Sequence, residues 1–404
     1  MAYKYKRRKI KKTKRTSMYK KKKTTLRKVV EAVIYVVCFL ALVFLGFSIG
    51  KPVVEFFRGE KTVDESSLVS NSTDSAEQIE DNSIVTDTSD DLSEPDVEVF
   101  DGVYALSLNK NLLSNKDALS AVVLSAKEQG YNTVVIDLVV DGGYIYYLTD
   151  QYQAIAYEAV VGQLSLDEIA QTIRLNQMRS IVRFSVLTDH ITSRMEKTIG
   201  YTFENDISTW IDDSPEKGGK AWISPFKEDA IEYIKYFAAE IDASDFDYVI
   251  ACDIEFPFMR NTDLNYLGSS VKSENRYLAL HNVWYEFKNV FVSGDKVILD
   301  VSAYKVVTGT EEVFSKSKPE VSDLNLTVNV TEFEDSFVTA DGREISIKDL
   351  SSSQRAITVI DEALNIADGC SVYVTLIRSE YSQVEFDMLI DYLEQREIKN
   401  IIIN

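Results

Sequence analysis

The sequence of 404 residues contains few side chains that bind transition metals or form disulfides, namely two histidines and three cysteines. Zinc sites draw three or four ligands from cysteine, histidine and acidic residues, and the scattered His190 and His281 are too few for a histidine-rich site. We therefore predict neither a metal nor another cofactor. Cys38 lies in an apolar run, which leaves at most one disulfide, between Cys252 and Cys370, and excludes a disulfide-dependent fold.

Motifs that identify three common enzyme classes are missing or misplaced. The sequence has no G-x-x-x-x-G-K-[ST] phosphate loop and no H-E-x-x-H zinc-protease helix, and its G-x-S-x-G match at 46–50 lies at the end of the apolar run 29–49 rather than at a strand-to-helix turn. Gly142-Gly143 is a turn signal, but no helix-opening phosphate-binding pattern accompanies it. The sequence therefore predicts none of these three classes.

Charge is distributed unevenly along the chain, whose net charge is −20. Residues 1–28 contain 15 of the 44 Lys and Arg and no acidic residue, so residues 29–404 set 29 basic against 64 acidic side chains, a net charge of −35. A strongly acidic main part offers no basic surface for phosphates. We therefore predict no nucleic-acid partner and interpret residues 1–28 as a cytoplasmic tail attracted to anionic lipid.

The next two segments predict a membrane anchor and a spacer. Residues 29–49 are apolar except for Glu31, long enough to cross a bilayer, and we assign 29–50 to a transmembrane signal anchor with a cytoplasmic N-terminus. A cleaved signal peptide is the alternative, but Gly50-Lys51-Pro52 does not resemble its cleavage site. Residues 51–97, acidic and rich in Ser and Thr, predict a disordered linker. Residues 98–404 are then extracytoplasmic.

Residues 98–404 alternate short β-branched runs with helical patterns, which is typical of an α/β fold. Eight strands are predicted, at Val103–Leu108, Thr133–Val140, Ile181–Leu187, Tyr248–Phe256, Val297–Tyr304, Leu324–Val330, Val372–Ile377 and Asn400–Ile403. Six helices are predicted, at Lys116–Gln129, Leu166–Met178, Pro225–Ile241, Glu274–Val290, Ser352–Ala367 and Gln383–Arg396. This number of units favours a (β/α)8 TIM-type barrel, with a doubly wound open sheet as the alternative.

The stretch Asp245–Pro257 is the most informative of these strands, because an apolar run ends in acidic residues. Asp253 and Glu255 are two residues apart and would point the same way from a strand. Parallel barrels present catalytic groups at the carboxyl ends of their strands. We therefore predict Asp253 and Glu255 as catalytic residues. The alternative is that they are merely solvated or paired with bases.

Other predicted strand ends also carry polar or aromatic side chains. As a catalytic partner we predict Asp141, and as substrate-binding residues Asp137, Tyr144, Arg183, Asp189, Trp222, Asp300 and Glu380. Glu332 and Glu334 follow the sixth strand. Carboxylates among aromatic rings suit a sugar, since glycoside hydrolysis needs one acid to protonate the leaving oxygen and a second as nucleophile or base.

Residues 100–260 resemble the bacterial extracytoplasmic family known as the putative glycosyl hydrolase domain. The resemblance rests on G-V-Y at 102–104, V-V-I-D-L-V-V-D-G-G-Y-I-Y-Y at 134–147, W-I-S-P-F at 222–226 and F-D-Y-V-I-A-C-D-I-E-F-P at 246–257. It implies a glycosidase-type barrel that acts on polysaccharide. Several polar positions of the family pattern differ here, where Val139, Val140, Ser224 and Cys252 stand.

Three functions remain open at this stage. The first is a membrane-anchored extracytoplasmic glycosidase acting on cell-envelope or other polysaccharide, with Asp253 or Glu255 as acid or base. The second is a catalytically inactive barrel that binds cell-wall glycan or a protein partner. The third, a metal-dependent deacetylase, would need histidine ligands that two histidines scarcely provide.

Overall fold

Eight parallel strands close into a barrel in the computed structural model, which describes residues 102–140, 142–204, 208–315 and 320–404. The strands in chain order are β1 (Val103–Ser107), β2 (Thr133–Val140), β3 (Tyr144–Ile145), β4 (Arg179–Ser185), β5 (Tyr248–Cys252), β6 (Val297–Ser302), β7 (Asp323–Val328), β8 (Ser336–Val338), β9 (Glu344–Ser346), β10 (Ser371–Leu376) and β11 (Asn400–Ile403). Neighbours in the barrel run β1-β2-β4-β5-β6-β7-β10-β11, and β1 pairs with both β2 and β11. An open sheet could not form both pairings, so the predicted barrel is confirmed.

The three remaining strands lie outside the barrel wall. β3 pairs antiparallel with the end of β2, and β8 and β9 form a separate two-stranded ribbon. All eight predicted strands are present, although most of them end one to four residues earlier than predicted.

Helices connect the strands on the outside of the barrel. They are α1 (Lys116–Glu128), α2 (Tyr152–Ala156), α3 (Leu166–Leu175), α4 (Thr192–Met195), α5 (Glu228–Asp242), α6 (Ser269–Lys272), α7 (Leu278–Lys288), α8 (Ala303–Val307), α9 (Glu312–Ser315), α10 (Ser352–Ile366) and α11 (Gln383–Gln395). Asn115 caps α1, and Ser165 forms a capping box with Glu168 at the start of α3. In the described part of the β6–β7 connection, the helices are the short α8 and α9.

The predicted start of the fourth-strand helix at Pro225 is wrong, because α5 begins at Glu228. Ile223 still pairs with Gly200 in an isolated bridge, and the Ser224 amide donates to the carbonyl of Ile199. The turn that follows places Phe226 in a stack on Phe256. Tertiary pairing and ring packing therefore hold this segment out of the helix.

The barrel interior is apolar nearer the amino ends of the strands and polar towards their carboxyl ends. Its apolar side chains form a buried cluster of Val103, Ala105, Val135, Ile181, Ile250, Ile298, Tyr373 and Ile402. Because side chains on one face of a strand recur every second residue, the next inward positions are mostly polar, at Ser107, Asp137, Arg183, Cys252, Asp300, Thr375 and Asn404. Polar side chains therefore gather at the barrel mouth.

The one disulfide that the sequence allowed is absent. Cys252 and Cys370 are both free thiols. Cys252 ends β5, whereas Cys370 immediately precedes β10, so in a parallel barrel the two lie at opposite ends of the strands.

The predicted tail (1–28), signal anchor (29–50) and linker (51–97) lie outside the described residues. Among the residues that the structure describes, no helix is both long and apolar enough to cross a membrane.

Removing a lumen side chain should destabilise the barrel measurably. Ile298 on β6 is fully buried in the apolar cluster, so Ile298→Ala should lower the free energy of unfolding by about 2–5 kcal/mol through lost burial and a residual cavity. Urea denaturation followed by tryptophan fluorescence would measure it. The matched control is Val292→Ala, at a position that is 95% exposed. Equal midpoints for the two variants would contradict the lumen placement.

Candidate active site

A cavity of about 210 Å3, partly open to solvent, lies at the carboxyl ends of β5, β6 and β7. Its lining contains five carboxylates: Asp253, Glu255, Asp300, Glu311 and Glu332. The only basic side chain in the same lining is Lys305. The barrel closure explains this composition, because strands far apart in sequence end at one rim.

Glu255 and Lys305 form an ion pair within this cavity. The Lys305 Nζ atom donates to Glu255 Oε2 at 2.5 Å. Ser302 caps α8 by accepting from the Lys305 amide at 3.3 Å, which fixes where the lysine side chain starts. Partial burial lowers the pKa of Lys305, but the hydrogen bond and charge of Glu255, with the charges of Glu311 and Glu332, outweigh that effect and raise it. The lysine therefore stays charged.

Glu311 is the most deeply buried carboxylate of the cavity, with 5% of its surface exposed. Its Oε2 atom accepts from the Ser302 amide at 3.2 Å. Burial raises the pKa of Glu311 to about 7, Lys305 opposes the shift, and the charges of Glu255 and Asp300 add to it. A carboxyl group with this pKa can hold a proton near neutral pH and donate it.

The neighbouring residue Glu312 fixes the loop that carries Glu311. Its Oε1 atom accepts from Arg276 at 3.0 Å, and its Oε2 atom accepts from the Phe256 amide at 3.3 Å. These contacts join the loop after β6 to the loop after β5. Glu311 and Glu255 are therefore held at the same cavity by a polar link outside it.

Asp300 reaches the cavity from inside the barrel. It accepts from Asn325 at 2.5 Å and from Thr327 at 2.7 Å, and Thr375 donates to the Asn325 oxygen at 2.9 Å. Burial raises the pKa of Asp300, while the hydrogen bonds from Thr327 and Asn325 and the charge of Arg183 counteract the rise. A network from three strands thus orients this carboxylate.

Asp253 has a backbone conformation that is uncommon outside glycine. Its φ is +57°, and Ser185 donates to its Oδ2 atom at 2.5 Å, with Thr188 at 3.2 Å. β5 ends at Cys252, so the expectation that Asp253 and Glu255 project together from one strand is wrong. Both nevertheless line the same cavity. Left-handed residues of this kind are enriched at active sites.

Asp137 and Arg183 form a second polar group in the lumen, outside the lining of the cavity. The Arg183 Nε atom donates to Asp137 Oδ1 at 2.7 Å. Its Nη2 atom donates to Ser107 Oγ at 3.1 Å and to Asn404 Oδ1 at 3.0 Å. Two predicted substrate-binding residues therefore contact one another directly, beside the strand ends of β1 and β11.

The other predicted site residues do not line the cavity. Asp189 is buried, and it accepts from the amides of Ile191 and Thr192, where α4 begins, and from the Tyr233 hydroxyl. Burial raises its pKa, and those hydrogen bonds oppose the rise.

Two further predicted residues, Trp222 and Glu380, make hydrogen bonds outside the cavity. Trp222 donates to Asp212 at 3.0 Å, and Glu380 accepts from the Val330 amide at 2.7 Å. Tyr144 is 41% exposed on β3. Asp141 lies outside the described residues. No group of three or more potential metal ligands is found among the residues described.

The sequence analysis missed Lys305 and Glu311, although it identified Asp300 on β6, the strand that precedes them. Both residues lie in the connection after β6, the position from which barrel loops supply functional groups. That location was a usable signal. The burial that changes the pKa of Glu311 was not, because it depends on residues from the loop after β5.

One family and several solved structures resemble this chain. The sequence profile of the family described as "Putative glycosyl hydrolase domain" matches residues 103–346, more than half of the chain. Comparison with curated proteins gives no match.

Three of the similar structures illustrate the range. A hypothetical protein from Ruminiclostridium thermocellum is 18% identical, with a TM-score of 0.41 over 50% of this chain and 99% of that one. The α-galactosidase TtGalA from Thermus thermophilus is 9% identical, with a TM-score of 0.45 over 75% of this chain and 57% of that one. The glycoside hydrolase domain of PelA from Pseudomonas aeruginosa is 11% identical, with a TM-score of 0.39 over 75% and 94%. These are similarities of chain fold at low sequence identity.

The raised pKa of Glu311 predicts a specific pH dependence of stability. Its pKa is about 7 in the folded protein against an ordinary 4.5, so the folded state keeps a proton that the unfolded state loses. Stability contributed by this protonation is present below pH 4.5 and is lost as the pH rises towards 7. The loss should reach at most about 3 kcal/mol.

Glu311→Gln should remove that pH dependence, since an amide does not titrate. Between about pH 5 and pH 8, the urea midpoint of the wild type should therefore fall by more than the midpoint of Glu311→Gln. Glu128→Gln, exposed on α1, is the control and should behave as the wild type does. Parallel pH profiles for the wild type and Glu311→Gln would contradict the raised pKa.

Proposed function

Since the chain belongs to the family described as "Putative glycosyl hydrolase domain", we propose that it cleaves a glycosidic bond in the cavity at the mouth of its barrel. The observation that carries the proposal is the pairing of two unlike carboxylates. Glu311 is buried with a pKa of about 7, and Glu255 is bonded to the Lys305 ammonium at 2.5 Å. Glycoside hydrolysis needs one carboxyl group that donates a proton and one that remains ionised.

Glu311 is the proposed general acid. Its proton passes to the glycosidic oxygen as the bond from that oxygen to the anomeric carbon breaks. Glu255 supplies the negative charge opposite the developing positive charge on the sugar, either by attacking the anomeric carbon or by taking a proton from the attacking water. Lys305 orients Glu255 through their charge-assisted hydrogen bond.

Asp253 and Asp300 are proposed to bind the sugar rather than to exchange protons. Both line the cavity, and neutral hydroxyl and amide groups hold them in place. A carboxylate oriented in this way accepts well from sugar hydroxyls. Asp141 remains a prediction as a catalytic partner, and Tyr144 and Trp222 remain predictions as substrate-binding residues.

The proposed setting is the outer side of a cell membrane. Residues 29–49 would anchor the chain, residues 1–28 would remain in the cytoplasm, and residues 51–97 would hold the barrel at some distance from the bilayer. The polysaccharide within reach of such a domain is the cell-wall glycan. Support for this setting comes from the charge and hydropathy pattern alone.

An inactive glycan-binding barrel is the second candidate, and one observation favours it. Cys252 and Val139 are buried where the family pattern of the sequence analysis has polar residues. Burial raises the pKa of the Cys252 thiol well above its usual range, so Cys252 cannot replace a catalytic carboxylate. Activity would therefore require the groups supplied by the β6 connection.

Hydrolysis should depend strongly on Glu311 and Glu255. The purified full chain would be incubated with cell-wall glycan and a panel of polysaccharides, with released reducing ends and bound protein recorded together. Glu311→Gln and Glu255→Gln should each lower release by a factor of about 10²–10⁴, because each removes a proton-transfer or charge-stabilising group.

The control for this experiment is Asp391→Asn, an exposed carboxylate on α11, which should leave release unchanged. Release that persists in Glu311→Gln would reject the assigned acid. Binding to glycan without release by the wild type would reject the hydrolase and favour the binding module.

The proposed topology makes a separate prediction. In intact cells or spheroplasts, externally added protease should digest residues 98–404, while a tag placed before residue 29 should stay protected. The full chain should also remain with membranes after washing at high pH. Release of the whole chain into the wash would contradict the anchor.

A further inference from the structure

We infer that the sugar bound in this cavity carries a free amino group, as a de-N-acetylated hexosamine does. The inference rests on the proposed function, because it names the substrate class of the same cavity. It follows from the charges and hydrogen-bonding groups that line that cavity, beginning with five carboxylates against one lysine.

The single lysine does not balance the charge that a ligand would meet. Its ammonium is engaged with Glu255 at 2.5 Å. The other four carboxylates receive only neutral donors in the hydrogen bonds described: hydroxyls for Asp253, an amide and a hydroxyl for Asp300, the Ser302 amide for Glu311 and the Asn329 amide for Glu332. Even with Glu311 carrying the proton assigned to it, Asp253, Asp300 and Glu332 leave the cavity with an excess of negative charge.

Charged residues beside the cavity do not remove this excess. Arg183 acts on Asp300 from within the barrel, but it is itself paired with Asp137 at 2.7 Å. Arg276 is paired with Glu312 at 3.0 Å outside the lining. Arg183 and Arg276 are thus already matched by carboxylates. The walls of a cleft also concentrate the electric field of the charges that line it.

An ammonium group complements this lining better than other sugar substituents do. It offers three donors and no acceptor, whereas ionised carboxylates only accept. An N-acetyl group would replace the ammonium by a neutral amide, whose carbonyl oxygen only accepts and so gains nothing from the carboxylates. Uronic acids and phosphate-bearing polymers would meet like charge, which costs binding energy.

The ammonium group would also relieve electrostatic repulsion among the carboxylates of the cavity. Mutual repulsion among Glu255, Asp300 and Glu311 contributes to the raised pKa of Glu311. An ammonium placed among these groups replaces part of that repulsion with attraction. The same argument does not depend on the linkage or on which carbon carries the amine.

Three oligosaccharides that differ only at carbon 2 test the inference. The full chain would be titrated with β-1,4-linked tetramers of glucosamine, N-acetylglucosamine and glucose at about pH 6 and low salt. The glucosamine tetramer should bind at least about tenfold more tightly than either of the others. Its advantage should shrink as salt is raised, since salt screens charge pairs.

Variants separate a specific site from general attraction to an acidic protein. Asp300→Asn should reduce the preference for the glucosamine tetramer, and Asp391→Asn on α11 should leave it unchanged. Spermine is the second control. If spermine binds as tightly as the glucosamine tetramer and Asp300→Asn weakens neither, the attraction is general and the inference is overturned.

The outcomes distinguish this inference from the proposed function. Equal or tighter binding of the acetylated or neutral tetramer, or no binding of any tetramer, would overturn the amino-sugar inference even if Glu311-dependent hydrolysis is found. Preferential binding of the glucosamine tetramer without any release of reducing ends would support the inference and reject the hydrolase.

Discussion

The hydrogen bonds between β1 and β2 are the constraint on which the site depends. They close a sheet whose other neighbours already run from β2 through β11 to β1. Closure turns eight strand ends into one mouth, and the mouth is polar because the inward positions change from apolar to polar along the strands. An open sheet with the same strands would have left Asp253, Asp300 and Glu332 along an edge instead of around a cavity.

Within that mouth, burial and pairing make similar carboxylates different. Glu255 is bonded to an ammonium group, whereas Glu311 is enclosed and bonded to a single backbone amide. The low polarisability of its surroundings favours the neutral form of Glu311. The two acids lie in loops after adjacent strands, so one cavity contains both a buried carboxyl group and one that is paired with a base.

The fold could be predicted from sequence because its signals are local. Parallel barrel strands are buried on both faces and therefore appear as short apolar runs, as at Thr133–Val140. Helix starts marked by side chains, such as Ser165 with Glu168, were also predictable. The start of α5 was not, because Ile223 and Phe226 are held by partners distant in sequence.

The site was predictable only in part, because the roles of its residues also depend on partners that are distant in sequence. Strand ends identified Asp253, Glu255 and Asp300, which do line the cavity. They also suggested Asp189, whose buried carboxylate accepts from the amides of Ile191 and Thr192 and from the Tyr233 hydroxyl. An acidic residue at a strand end has the same local sequence signal in either role, and only its hydrogen-bond partners separate the two.

Under the proposed function, the replaced polar positions correspond to a shift of chemistry along the barrel. Val139 is buried among apolar side chains, and Cys252 is held as a thiol by its burial. Neither can transfer a proton at neutral pH. The β6 connection, however, carries Lys305 and Glu311 into the same mouth, beside Glu255 from the β5 loop. The loops that follow the eight barrel strands all lie at one rim. A group lost from β2 can therefore be replaced from β6 without any change of fold. Glu311 is tied to this rim by its hydrogen bond from the amide of Ser302, the residue that caps α8.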